Sequence, residues 1–190
     1  MRNMMLAGVL LVLSATMMAQ VTSSGPVVLD YGKHISGADP AAVAIARQVR
    51  HELLMLPWYS LYDDLEYTVD GRTVILSGYL TSGHAVTRQQ AEGVVKRIEG
   101  VEKVVNNIQV LPPSSLDSEV RQQAYDALMR SGPLSRYLWE TSPSIHIVVK
   151  NQRITLTGFV DRQGDKTLAT LAVSGIPGVF QVTNELSVTR

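Results

Sequence analysis

Apolar and polar positions alternate along residues 67–80, YTVDGRTVILSGYL, and again along 145–160, IHIVVKNQRITLTGFV. A period of two over such lengths predicts strands with one buried face. A turn signal divides each stretch into a hairpin, Asp70-Gly71 in the first and Asn151 in the second. On the second strands, Val74 and Leu76, or Ile154 and Leu156, share one face, while Thr73, Ser77 and Tyr79 take the other. Ahead of the first hairpin the period lengthens. Ala42, Ile45, Ala46, Val49, Leu53 and Leu56 recur at helical spacing, behind an N-cap and first-position proline at Asp39-Pro40. Leu116, Val120, Ala124 and Leu128 repeat that stripe before the second hairpin, and Gly132-Pro133 predicts its stop. After the hairpins, Ala91, Val94, Val95 and Ile98, then Ala169, Ala172, Val173 and Ile176, predict a second helix in each half. Gly100 suits the end of the first of these, and Gly175 with Pro177 beyond it the end of the second. An alternating strand closes each half.

The two halves are copies. GVEKVVNNIQV at 100–110 becomes GVFQVTNELSV at 178–188, an offset of 78, and VILSGYL at 74–80 becomes ITLTGFV at 154–160, an offset of 80. A shared offset with one small deletion marks a duplicated unit. Each unit runs α-β-β-α-β, which predicts an α+β fold: two tandem domains, each a three-stranded mixed sheet with two helices packed on one face. The first is expected over 38–112 and the second over 113–190, joined at LPPSS (111–115), whose prolines make a short, semi-rigid linker. Units this small bury modest cores and gain from packing on each other.

The N-terminus reads differently. Residues 1–19 place Arg2 before an apolar run from Leu6 to Leu13 and end in small residues at Ala19, the pattern of a secretory signal peptide. The run is too short to span a bilayer comfortably. Residues 20–37, rich in Ser, Gly and Pro, predict a flexible tail. The chain contains no cysteine, which excludes disulfides, thiolate zinc sites and lipid attachment through cysteine. A thiol-free exported chain fits the periplasm, and the signal alone would also fit full secretion.

The paired motifs, GRTVILSG at 71–78 with GVEKVVNNIQV, and QRITLTG at 152–158 with GVFQVTNELSV, resemble the BON domain family. Asn151 or Gln152 stands where the family's first glycine falls in copy two. The resemblance spans nearly all of residues 38–190. It implies a periplasmic protein of envelope maintenance and osmotic-stress protection that binds anionic phospholipid membranes or other envelope proteins, in some relatives with chaperone-like activity. It implies no enzymatic activity and no cofactor.

The residues themselves carry little catalytic signal. His34, His51, His84 and His146 lack metal-ligand spacing, and no G-x-S-x-G elbow or phosphate-cradling glycine loop occurs. Asp63, Asp64 and Glu66 form an acidic cluster that reads as solvated loop carboxylates. Asn106 and Asn184 repeat with the fold, either as ligand contacts or as amides that satisfy a neighbouring turn. Gly78 and Gly158 are expected to admit a close helix or a bulge, and Gly100 and Gly178 repeat alongside them. The segments after each first helix hold both tryptophans. Trp58, Tyr59 and Tyr62 in copy one, and Arg130, Arg136, Tyr137 and Trp139 in copy two, are candidate lipid- or partner-binding residues, because such side chains suit membrane interfaces and phosphates. The same aromatics could instead cap the open end of each small core.

Charge separates the partner classes. Residues 37–112 carry 7 Lys/Arg against 9 Asp/Glu, and residues 113–190 carry 8 against 7. Neither is the basic footprint that nucleic-acid binding requires, and no small-molecule substrate is expected. The second unit is the better match to anionic lipid. The alternative is a soluble chaperone-like or protein-interaction module that works through sheet edges or the aromatic loops.

Overall fold

The computed structural model describes residues 39–57, 59–81, 88–138 and 143–189. The first unit runs α1 (Pro40–Leu54), β1 (Asp64–Asp70), β2 (Thr73–Thr81), α2 (Arg88–Val95), β3 (Lys103–Asn106) and β4 (Gln109–Leu111). The second runs α3 (Ser115–Arg130), a 3-10 helix (Gly132–Tyr137), β5 (Ile145–Lys150), β6 (Arg153–Val160), α4 (Gln163–Ser174), β7 (Gln181–Asn184) and β8 (Ser187–Val188). In each sheet the hairpin's second strand is central. β2 pairs antiparallel with β1 and parallel with β3 and β4. β6 does the same with β5, β7 and β8. The parallel pairings need the helical crossovers that α2 and α4 supply. The sheets are mixed and the class is α+β, with the third strand of each unit broken into two short pieces.

Both cores lie between the helices and one sheet face. In the first, Ala42, Ile45, Ala46, Val49 and Leu53 of α1 and Ala91 and Val95 of α2 pack on Val69, Val74, Leu76 and Leu80. In the second, Val120, Ala124 and Leu128 of α3 and Ala169 and Val173 of α4 pack on Ile145, Ile147, Val149, Ile154 and Leu156. Asp39 caps α1 as its sequence predicts, accepting from the Ala41 N–H at 3.0 Å ahead of Pro40.

Leu116 and the first hairpin turn depart from expectation, while Gly132-Pro133 and Gly175 stand at the helix ends where they are expected, each with an added detail. Leu116 is 53% exposed. Asp117 is buried in its place, and its carboxylate accepts from Asn151 N (3.1 Å) and Gln152 N (2.8 Å). Those two residues form the β5–β6 turn with φ of 52° and 59°, so a turn without glycine is held from beneath by a buried carboxylate. Gly132-Pro133 follows the end of α3 but also begins the 3-10 helix. Gly175 caps α4 at an ordinary φ of −92°, and the left-handed residue after that helix is Gly178 (φ 81°), the counterpart of Gly100 (φ 89°). The first hairpin turns at Gly71-Arg72, one residue later than expected, because Asp70 still pairs with Thr73.

Gly78 (φ 103°) and Gly158 (φ 100°) admit neither a helix nor an ordinary side chain. A Cβ at Gly78 would lie 2.1 Å from the Asp64 carbonyl oxygen, and one at Gly158 would lie 2.1 Å from that of Ser144. The close approach is the paired strand's own backbone.

Candidate interaction site

The aromatic segment after α1 is turned inward. The Tyr59 ring packs against the first core and stands 5.2 Å from the ring of His146 on β5. Its hydroxyl accepts from Leu65 N, and burial foremost, then the nearby Asp64, raises its pKa. Leu61 and Tyr62 pack against the second core rather than the first. The Leu61 carbonyl accepts from Ile147 N at 2.7 Å, so residues 59–62 plug the first unit onto an edge strand of the second. Trp58 lies outside the described residues.

This plug explains why β5 is buried from Ile145 to Val149, on both faces. Ile145, Ile147 and Val149 face the second core, while His146 and Val148 face the other way, away from the helices. On that side Lys150 Nζ stands 5.3 Å from the Tyr79 ring centroid and donates to Gln109 Oε1. Asp64 faces Thr157 across the same seam.

The acidic pair was expected to be solvated, and the structure overturns this. Asp63 is fully buried and Asp64 is 9% exposed. Asp63 accepts from Thr81 N (2.8 Å), Thr81 Oγ1 (2.7 Å), Ser60 N (3.1 Å) and Ser60 Oγ (2.8 Å), so both of its carboxyl oxygens are satisfied. Asp64 has no such set. Burial foremost pushes its pKa up to about 6, against a downward pull from the Thr157 hydroxyl that outweighs the further upward push of the Glu185 charge.

In the second unit Tyr137 is buried and its hydroxyl is a hub. It donates to Asp165 Oδ2 (2.7 Å) and accepts from Asp161 N (3.0 Å) and Arg136 Nη2 (2.5 Å). Arg136 also reaches Asp161 (3.2 Å) and Asp165 (3.0 Å) and lies over the Tyr137 ring at 4.6 Å. Its charge is thereby balanced inside the protein, and this cluster ties the 3-10 helix to the start of α4. Arg130 is exposed in the last turn of α3. Trp139 lies outside the described residues.

Asn106 and Asn184 serve the fold, each as a clamp from the broken third strand to its helix. Asn184 Nδ2 donates to Lys166 O (2.8 Å) and Thr170 Oγ1 (2.7 Å), and its Oδ1 accepts from Leu186 N (3.0 Å). Asn106 Nδ2 donates to Arg88 O (2.9 Å) and Glu92 Oε2 (3.0 Å), and its Oδ1 accepts from Ile108 N (3.2 Å). The bond from the side chain to a residue two places on pinches the strand, which accounts for its two pieces.

Sequence reasoning missed the apolar surface of the second unit. Leu171 is 67% exposed on the last turn of α4, and Phe180 is 74% exposed before β7. Both lie at the end of the unit that holds the Asn151-Gln152 turn, where Phe180 N donates to Gln152 O. At the offset of 78 their counterparts are Gly93 and Glu102. Reading the copies for differences rather than matches would have found them. Among the described residues no cluster of His, Asp and Glu could hold a metal ion, and no helix is long and apolar enough to cross a membrane.

The family model of the BON domain matches residues 41–112 and again 117–190. Comparison with curated proteins finds no match. Among solved structures, the C-terminal domain of CdsD, the structural protein of the type III secretion system of Chlamydia trachomatis, aligns at 17% identity and a TM-score of 0.30, covering 80% of this chain and 67% of that one. A second CdsD structure aligns at 11% identity and a TM-score of 0.31, covering 76% and 92%. Both likenesses are too distant to bear on function.

Proposed function

This chain belongs to the BON domain family, with two tandem copies, and from that premise we propose that it is a periplasmic envelope-maintenance module that docks on anionic phospholipid through its second unit. BON domains are non-catalytic binding modules. The observation that carries the lipid reading is the pair Leu171 and Phe180, large apolar side chains held in water by the second unit where the first has Gly93 and Glu102. Inserting a Leu or a Phe side chain into an apolar layer yields about 1.5–3 kcal/mol each. A well-placed cation adds about 1 kcal/mol near an anionic leaflet. Arg153 is exposed at the start of β6, at the same end of the unit. Export rests on the signal-peptide pattern of residues 1–19, and the stress role on the family resemblance.

The docking surface differs from the one expected from the aromatic segments. Arg136 already faces Asp161 and Asp165, and Tyr137 is buried with them. The chaperone-like alternative has less support at the sheet edge, since Leu61 occupies β5 at Ile147.

Vesicle flotation tests the reading, with phosphatidylcholine alone and with added phosphatidylglycerol. The protein is expected to float with anionic vesicles, the Leu171→Ser/Phe180→Ser variant to lose flotation, and Arg136→Ala to keep it. Loss with Arg136→Ala alone would move the site to the other end of the unit. No flotation of the unaltered protein would refute lipid docking.

A further inference from the structure

The seam between the two units buries polar groups that the fold does not satisfy. Asp64 projects from β1 away from the first core, and no cation pairs with it among the described residues. The charged and titratable groups around it are acids and phenols. Glu66 stands two residues along the same strand, Glu185 approaches from the β7–β8 connection, and Tyr59 packs from the loop before β1. Lys150, the cation on this side of β5, is engaged with Gln109 and the Tyr79 ring. Arg121 of α3 faces Tyr62 and Asp63 and donates to Val149 O.

Across the seam, Thr157 and His146 are register partners on β6 and β5. Thr157 Oγ1 and His146 Nδ1 are both buried with no partner of normal geometry. The Thr157 hydroxyl lies beside the Asp64 carboxyl, too loosely to count as a hydrogen bond. The His146 ring is surrounded by the backbone carbonyls of Asp63, Ser60 and Pro143, with Asp63 as its nearest charge.

We propose that this seam is a proton-operated clasp between the units, slack while Asp64 is ionised and drawn shut when Asp64 is protonated. An ionised Asp64 is a buried carboxylate among acids, which favours the open arrangement where water reaches it. Thr157 Oγ1 can serve either form, donating to the carboxylate or accepting from the carboxylic acid O–H, so protonation removes the buried charge without costing Thr157 its partner. The proton comes from solvent, and no covalent bond forms or breaks.

The sign follows from linkage. In the closed seam burial foremost pushes the Asp64 pKa from the ordinary 3.8 up to about 6, and an open seam that returns the carboxyl to water returns it to the ordinary value, so the closed state binds the proton more tightly and acidification over that interval favours closure. His146 acts in the opposite sense. Burial holds its pKa below the ordinary 6.5, so its protonation favours opening. The two groups can be separated by substitution.

The test is hydrogen exchange of the Ile147 amide, which donates across the seam to Leu61, corrected for intrinsic exchange and followed from pH 7.5 to 5. In a His146→Gln protein, the opening constant of this amide is expected to fall about tenfold over that range, the factor that a shift from 3.8 to about 6 gives by linkage. Adding Asp64→Asn should abolish the pH dependence and leave the amide protected throughout. Amides of α4 and β7 should not change, which separates opening of the seam from unfolding. A flat profile in His146→Gln, an unchanged slope after Asp64→Asn, or a parallel change in α4 and β7 would each overturn the clasp. No vesicle is involved, so this result and the lipid result can fail independently.

Discussion

Gly78→Ala is the sharpest test of how the first unit is assembled. The backbone at Gly78 sits at φ 103°, and an added Cβ would stand 2.1 Å from the Asp64 carbonyl oxygen, 3.0 Å from its carbon and 3.3 Å from Glu66 N. All three are backbone atoms in a paired strand, so no rotamer change relieves the overlap. A side chain at strongly positive φ costs about 1–3 kcal/mol, and forcing a packed neighbour aside costs about 1–3 kcal/mol more. The expected loss is therefore about 2–6 kcal/mol, a large share of a small domain's stability.

Gly71→Ala is the matched control. Its φ is also positive, at 57°, but nothing lies within 4 Å of the added Cβ, so it carries strain alone, about 1–2 kcal/mol. Urea unfolding followed by far-ultraviolet circular dichroism reads both, with the m-value checked for constancy. If the two variants unfold within about 0.5 kcal/mol of each other, backbone crowding at Gly78 is not what demands the glycine, and the argument fails. The site also bears on the seam, because the displaced carbonyl belongs to Asp64. Gly78→Ala should weaken Ile147 amide protection even where the first unit stays folded.

Two further substitutions test the polar supports. Asn184→Ala removes two hydrogen bonds that join the third strand to α4 and a third that holds the break between β7 and β8, and should cost about 2–4 kcal/mol in urea unfolding. Asn184→Asp should be at least as harmful, because a carboxylate cannot donate to the Lys166 carbonyl; tolerance of Asp would show that the donor does not matter. Asp117→Ala strips both turn amides of their acceptor and should cost about 2–5 kcal/mol, whereas Leu116→Ser one position away should stay within about 0.5 kcal/mol.

The helices and hairpins were legible because each stripe repeats with its period and with its copy. Val49, Val74 and Leu76, or Ala124, Ile154 and Leu156, are buried where alternation and helical spacing put them. Leu116 misled because the exposed first turn of a helix continues the apolar spacing, while the buried place went to Asp117 for a reason thirty-four residues away, the amide of Asn151. Asp63 misled for the same kind of reason. Two adjacent aspartates in a loop look solvated until Thr81 and Ser60 are seen to converge on one of them. Local pattern carries the period of an element, and it carries nothing about which distant donors a polar side chain will meet.

The copies differ where the units meet, and this says which differences carry meaning. In copy one the segment after the helix keeps Tyr59 on its own core and sends Leu61 and Tyr62 to the second core and the edge of β5. In copy two the corresponding place holds the 3-10 helix, whose Tyr137 and Arg136 stay within their own unit against Asp161 and Asp165. One duplicated connection has thus become a plug and the other a brace. The plug buries His146 and Val148 on a sheet face that would otherwise lie open, so among the described residues the large outward-facing apolar groups of the second unit are Leu116, Leu171 and Phe180, with Leu171 and Phe180 the most exposed of the three. A polar replacement at Gly93 or Glu102 of the first unit should then leave vesicle binding untouched. The same chemistry placed at Leu171 and Phe180 should remove it. If the two sets of variants behave alike, the second copy's divergence is not the docking surface.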